Sequence, residues 1–309
     1  MPNRSCVLAQ IIILIVFSLT ASAQSTSTGK IVFHSDRSGN SEIYRIDVTG
    51  ENETRLTNND AYDGFPSWSP DGTTILFQSD RDGTLAVYSM RDDGSDPKRI
   101  PNTKHGNYPK WSADGSRIAF FAKRDGVTDL FAVNPDGDEL ENLTNNRSTD
   151  ETPSWTADGT TVAFQSDRGW RDSLEGDPAE DQRSNYGIFT LALATSTVTE
   201  ITGIEFNDEN PSINPDGSGI VFQRYVDDGL AIGYIEIATG KTRLLTDPAD
   251  ISGSPAWSSG GTKIVFDSMR DGNFEIYVMD ADGSNLHQIT NTADNENSGA
   301  AMYDGLKKQ

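Results

Sequence analysis

The sequence predicts an all-β fold: a six-bladed β-propeller of four-stranded antiparallel blades, with the ring closed by the C-terminal strand joining blade one. Three observations carry this. A phrase of the form P-x-W-S-x-D-G recurs along the chain. An apolar strand ending in Phe recurs beside it at a nearly constant interval. The first readable strand is of the second kind and the last is of the first kind, so the two ends complement each other.

The first phrase stands at Pro66-Ser-Trp68-Ser-Pro-Asp71-Gly72, Pro109-Lys-Trp111-Ser-Ala-Asp114-Gly115 and Pro153-Ser-Trp155-Thr-Ala-Asp158-Gly159. Weaker copies begin at Pro211 and Pro255, and a decayed one runs from Gly299 through Ala301 to Asp304-Gly305. The second phrase ends at Phe33, Phe77, Phe120, Phe164, Phe222 and Phe266, spaced by 44, 43, 44, 58 and 44 residues. A period of about 40–45 residues with several short strands per unit is the signature of propeller blades. The long interval carries one insertion in blade four.

Each unit reads as strands A to D. Strand A is the P-x-W segment, and an Asp-Gly turn leads to strand B, such as Thr74–Gln78. A longer loop leads to strand C, such as Phe274–Met279, and a second Asp-Gly turn to strand D, such as Leu286–Thr290. Glycine accepts positive φ at little steric cost, which suits tight hairpins. In strand C the apolar residues keep to neither face alone, as expected when both faces pack on neighbouring blades. The chain opens with a strand B, Lys30–His34, and ends with a strand A near 298–302. Joining them in one blade removes an exposed sheet edge.

The phrase P-x-W-S-x-D-G, with I-x-F-x-S-D-R-D-G-x-x-E-I-Y-x-M-D after it, resembles the repeat of the TolB propeller family. The copy from Pro255 to Thr290 is the fullest. The resemblance spans residues 24–309 and implies a periplasmic protein that holds a partner protein or peptide at the channel mouth. TolB carries an α/β domain ahead of its propeller. Only a few residues separate Gln24 from the first strand, so the expectation is a propeller without that domain. Similar blades occur in dipeptidyl peptidase IV-type proteases and oligogalacturonate lyases, so the motif speaks for the fold more than for the function.

Residues 1–23 read as a signal peptide. Arg4 precedes the apolar run Ile11–Leu19, and Ala21-Ser22-Ala23 gives an A-x-A cleavage pattern. The run is shorter than the roughly 20 residues that span a bilayer. The expected location is periplasmic or secreted, with no membrane span after cleavage. Cys6 is the only cysteine. It lies ahead of the cleavage pattern, so a hydrophobic core rather than disulfides must hold the mature chain. The formal net charge of −22 repels nucleic-acid phosphates and favours cationic partners. Acidic residues filling exposed turns account for the same charge.

The residues offer little for catalysis. No G-x-S-x-G elbow is present, and the mature chain has no thiol. His34, His105 and His287 are isolated in sequence and show no metal-ligand spacing. Asp80-Arg-Asp82-Gly83 and Asp280-Ala-Asp282-Gly283 lack the full spacing of a calcium loop. They read as hairpin turns, so no cofactor is expected, with Ca2+ as the one alternative. The Ser-Asp-Arg elements at Ser35, Ser79 and Ser166 read as structural ties from each blade to the next.

Propeller topology gathers the B–C and D–A loops at one mouth of the channel and the A–B and C–D turns at the other. The B–C and D–A loops vary most between blades, and variable loops usually carry function. Acidic residues precede strand A at Asp63, Asp150, Glu151, Asp208, Glu209 and Glu296. They form either a ring that attracts cations or a set of turn caps. Phe65, His105 and Tyr108 add aromatic and polar surface among them. The insertion at 169–185 holds Trp170, which anchors a partner or packs the loop down. These features point to a non-enzymatic binding scaffold for a protein or peptide. The alternatives are a metal-dependent hydrolase or lyase with a calcium-like ion in the channel, and a saccharide-binding propeller.

Overall fold

The computed structural model describes residues 29–168, 185–293 and 300–305. The signal-peptide segment lies outside them. Six sheets of four antiparallel strands surround a central channel. The inner A strands are Asp63–Trp68, Asn107–Trp111, Asp150–Trp155, Asp208–Ile213, Ser252–Trp257 and Ala301–Tyr303. The outer D strands are short: the one expected over Leu286–Thr290 pairs only at His287–Gln288. Among the described residues no helix is long and apolar enough to cross a membrane.

The core is six separate clusters, one between each pair of adjacent blades. Strand C of blade six, Glu275–Asp280, shows how. Ile276 and Val278 pack toward blade one with Ile31 and Phe33. Tyr277 and Met279 face the other way, toward Val221 and Ile232 of blade five. Every blade is therefore apolar on both faces, which is why the simple alternation of a half-exposed strand is missing from the sequence. The six repeat Phe residues are all fully buried.

The A–B turns explain the S-x-D-G phrase. In blade two Gly72 has φ of +69°, and the Ser69 hydroxyl donates to Asp71 Oδ1 at 2.6 Å. The amide of Thr73 donates to the same oxygen at 3.1 Å. These bonds hold the Asp71 carboxyl below its ordinary pKa, the Ser69 bond most of all. Asp114 and Asp158 repeat the arrangement.

Five inner strands share a feature that the sequence did not suggest. Each carries a bulge in its pairing with strand B. At each bulge the residue before the proline is left-handed: Phe65 (φ 49°), Tyr108 (54°), Thr152 (51°), Asn210 (51°) and Ser254 (48°). Proline normally drives its predecessor to extended backbone, and a left-handed non-glycine residue is strained.

The ring closes as expected. Ala301–Tyr303 pairs antiparallel with Lys30–Ser35, placing Met302 opposite Ile31 and Ala301 opposite Val32. In blade two Trp68 lies opposite Ile75 and Ser67 opposite Leu76. Met302 thus takes the tryptophan place, one residue later than an alignment on Asp304-Gly305 gives.

Candidate functional site

The acidic ring divides into two kinds of residue. Asp63, Asp150 and Asp208, the first residues of their A strands, are fully buried. Each carboxylate accepts two hydrogen bonds, one at each oxygen, from an arginine of its own blade. Arg81 reaches Asp63 at 3.0 and 2.9 Å, Arg168 reaches Asp150 at 2.9 Å twice, and Arg224 reaches Asp208 at 2.7 and 2.6 Å. Asn59 and Asn146 add a bond each to Asp63 and Asp150. The guanidinium groups lie over the repeat Phe rings, at 5.0 Å for Phe77 and 5.1 Å for Phe164 and Phe222. These aspartates hold neutralised charge and anchor the strand. The Ser-Asp-Arg arginines Arg81 and Arg168 therefore tie A to B within a blade, not one blade to the next.

Ties between blades come from the residue that follows each repeat Phe. His34 Nδ1 accepts from the Phe65 amide at 3.4 Å, and Gln78 Oε1 from the Tyr108 amide at 3.0 Å. Gln165 Oε1 accepts from the Asn210 amide at 2.8 Å, and Gln223 Oε1 from the Ser254 amide at 3.1 Å. In four of the five cases the strained left-handed residue is thus fixed by a side chain of the preceding blade. In blade three the place is taken by Phe121, which has no acceptor to offer, and in blade six by Asp267.

Glu151 and Glu209, one residue after the paired aspartates, differ from them. Among the described residues neither has a cationic partner within ion-pair distance. Gln165 Nε2 donates to Glu151 at 3.0 Å, and Gln223 Nε2 donates to Glu209 at 2.9 Å. Burial pushes the Glu151 carboxyl up to about 7, with the Glu209 charge adding to the rise. Burial also raises Glu209. Asp267 is buried, its Oδ1 has no hydrogen-bond partner, and burial pushes it up to about 7. Among the described residues, blades four to six thus carry three carboxyls with no arginine paired to them.

Blades one to three present aromatic rings instead. Phe65 sits 4.9 Å from the His34 ring and 4.3 Å from the Tyr108 ring, and Tyr108 sits 6.3 Å from Phe121. Burial lowers the His34 imidazole to about 3, so it stays neutral at ordinary pH. The Tyr108 phenol crosses the channel: burial raises its pKa most, Asp267 adds to the rise, and a Ser254 hydrogen bond opposes it. Tyr108 and the left-handed residues Thr152, Asn210 and Ser254 line the same stretch of the channel. A cavity of about 620 Å³ extends to the A–B turns, lined by Lys110, the repeat tryptophans, and turn residues such as Pro70 and Pro215.

The structure brings Phe65, Tyr108, Glu151 and Glu209 together at the channel and sets Asp63, Asp150 and Asp208 apart as structural anchors. His105 is exposed and left-handed (φ 62°), and its amide donates to the Leu85 carbonyl at 2.7 Å. Trp170 and Glu296 lie outside the described residues. Among the described residues no three His, Cys, Asp or Glu side chains converge so as to hold a metal ion. Sequence reasoning missed His34 as a channel residue, and also Gln165, Gln223, Asp267 and Lys110. The ring position was visible as the residue after each repeat Phe. Lys110 was visible as the one basic residue at the x of P-x-W.

Comparisons with known proteins agree with this architecture. The family model for the TolB beta propeller domain matches residues 15–108 and 179–307. An uncharacterised protein of Agrobacterium fabrum is 38% identical over 66 residues, covering 21% of this chain and 22% of that protein. The Tol-Pal system protein TolB of Gluconobacter oxydans is 36% identical over 92 residues, covering 30% of this chain and 20% of that protein. The matched stretch is therefore about a fifth of either relative. The crystal structure of TolB from Acinetobacter baumannii superposes with a TM-score of 0.74 at 20% identity, over 89% of this chain and 66% of that one, a likeness of fold. With most of its length matched by that family model and its six blades in place, the chain belongs to the TolB β-propeller family.

Proposed function

We propose that this chain is an exported, non-enzymatic scaffold that takes a cationic segment of a protein or peptide partner at the B–C/D–A mouth of its channel. One observation carries the reading. Among the described residues Glu151 and Glu209 take hydrogen bonds from glutamines but pair with no arginine, whereas the neighbouring Asp150 and Asp208 each pair with one. Like charges held together are unfavourable without a counter-ion, so a cation between them is favoured. Phe65 and Tyr108 on the facing wall offer rings to an aliphatic stem or a cationic head. Export is supported by the N-terminal pattern at 1–23, and partner binding by the relative named for the Tol-Pal system.

The test uses a fluorescent hexalysine peptide and the variant Glu151→Gln/Glu209→Gln. The parent is expected to bind faster at low salt, and the variant to lose most of that advantage. A control variant, Asp71→Asn/Asp114→Asn, removes as much charge from the opposite mouth and is expected to bind like the parent. Equal association rates for the parent and the glutamate variant refute the reading. Calcium binding by calorimetry, abolished in the same variant, would favour the metal-dependent alternative instead.

A further inference from the structure

The cavity below Tyr108 belongs to the opposite mouth and contains chemistry of the opposite sign. Lys110 projects into it from the inner strand of blade three. The same place on the neighbouring strands is held by Ser67, Ser154 and Ser212. Those serines tie adjacent blades: Ser67 donates to the Pro109 carbonyl at 2.8 Å, Ser154 accepts from the Ile213 amide at 3.0 Å, and Ser212 accepts from the Trp257 amide at 3.1 Å. Lys110 gives up that role. Among the described residues its ammonium makes no ion pair, in a chain of net charge −22, and it lies 5.6 Å from the centroid of the Tyr108 ring.

The carboxylates nearest this mouth do not serve Lys110. Asp71 and Asp114 line the rim, but each is occupied by the hydroxyl and amide bonds of its own turn. The channel walls enclose the lysine while leaving it in contact with the cavity, and this burial lowers its pKa to about 8. Around it the lining is largely apolar, with Trp68, Trp111, Trp155, Trp257 and Ile213. A volume of about 620 Å³ lies in the range of small-molecule sites, which join apolar walls to a few placed polar groups.

We propose that this cavity is a binding site for a small carboxylate with an apolar body, the carboxylate pairing with the Lys110 ammonium and the body lying against the tryptophan walls. A half-buried ammonium that finds no counter-charge among the described residues is costly, and a ligand carboxylate supplies both the counter-charge and hydrogen-bond acceptors. The apolar body removes tryptophan and proline surface from water. Glu151 and Glu209 do not line this cavity.

Octanoate is the probe, with octan-1-ol as its uncharged counterpart. Binding is followed by calorimetry and by tryptophan emission. Saturable octanoate binding is expected, weakened about tenfold or more by Lys110→Ser. That substitution installs the residue that three other blades carry at this place, so the fold is retained, as circular dichroism checks. Octan-1-ol is expected to bind weakly, and Glu151→Gln/Glu209→Gln to bind octanoate like the parent. No octanoate binding by the parent overturns the proposal. So does equal binding of octanoate by parent and Lys110→Ser, or equal affinity of the parent for octanoate and octan-1-ol.

Discussion

Replacing Asp267 with Asn tests the channel network at its weakest point. Asp267 holds the ring place of Gln78, Gln165 and Gln223, but the residue opposite it is Gly253, which has no side chain to share a proton or a bond. Its Oδ1 is buried and unpaired, and burial raises the carboxyl from 3.8 to about 7. A group whose folded pKa exceeds its unfolded value favours the fold below the unfolded pKa and loses that contribution as pH rises through the folded one. For Asp267 the window runs from about 4 to about 7. At about 1.4 kcal/mol per unit, the full effect is roughly 4 kcal/mol as an upper bound. Asn keeps the shape and carries no charge. Urea unfolding of parent and Asp267→Asn at about pH 5 and about pH 8 should show the advantage of the variant growing by about 3 kcal/mol or less, always toward higher pH. Parallel stability profiles would refute the reasoning, because they would mean that the carboxyl is solvated or already paired.

Two further substitutions probe other parts of the frame. His34→Gln installs the ring residue of three other blades; since the His34 pKa is depressed from 6.5 to about 3, the parent loses stability as pH falls through about 6.5 toward 3, and the variant should lose less in urea titrations across that range. Asp150→Ala leaves Arg168 partly buried without its partner and should cost about 3–5 kcal/mol in thermal or urea unfolding, while Asp150→Ala/Arg168→Met should recover much of that loss; an unchanged single variant would show that the pair is not an anchor.

The blades were legible because their markers are local. Each repeat Phe is buried for the same reason, and its spacing needs no knowledge of the ring. The roles of the acidic residues were less legible because the partner lies elsewhere in the blade. Asp63 and Arg81 are 18 residues apart. A signal was nevertheless present: blade three lacks the aspartate, having Gly106, and also the serine, having Ala122. Blade five moves its arginine to the serine place, at Arg224, and keeps the same pair with Asp208. Such joint changes mark contacts within the repeat. The left-handed residues before proline were not legible at all, since local preference argues against them and, for four of the five, a bond from the preceding blade holds them. The face of the large cavity also escaped notice, because it depends on where Tyr108 crosses the channel.

The pairing of Ala301–Tyr303 with Lys30–Ser35 has a kinetic consequence. Blade one draws its strands from opposite ends of the described chain, while every other blade is assembled from one continuous stretch. The entropy of bringing distant segments together grows only logarithmically with the length between them, so the equilibrium cost of the seam is modest. Its timing is another matter. During synthesis or translocation five blades have all their strands before the seam strand arrives, and Lys30–Ser35 must wait with one edge unpaired. The seam is therefore where a strand from another molecule competes, and concentration during refolding should decide between closed rings and exchanged ones.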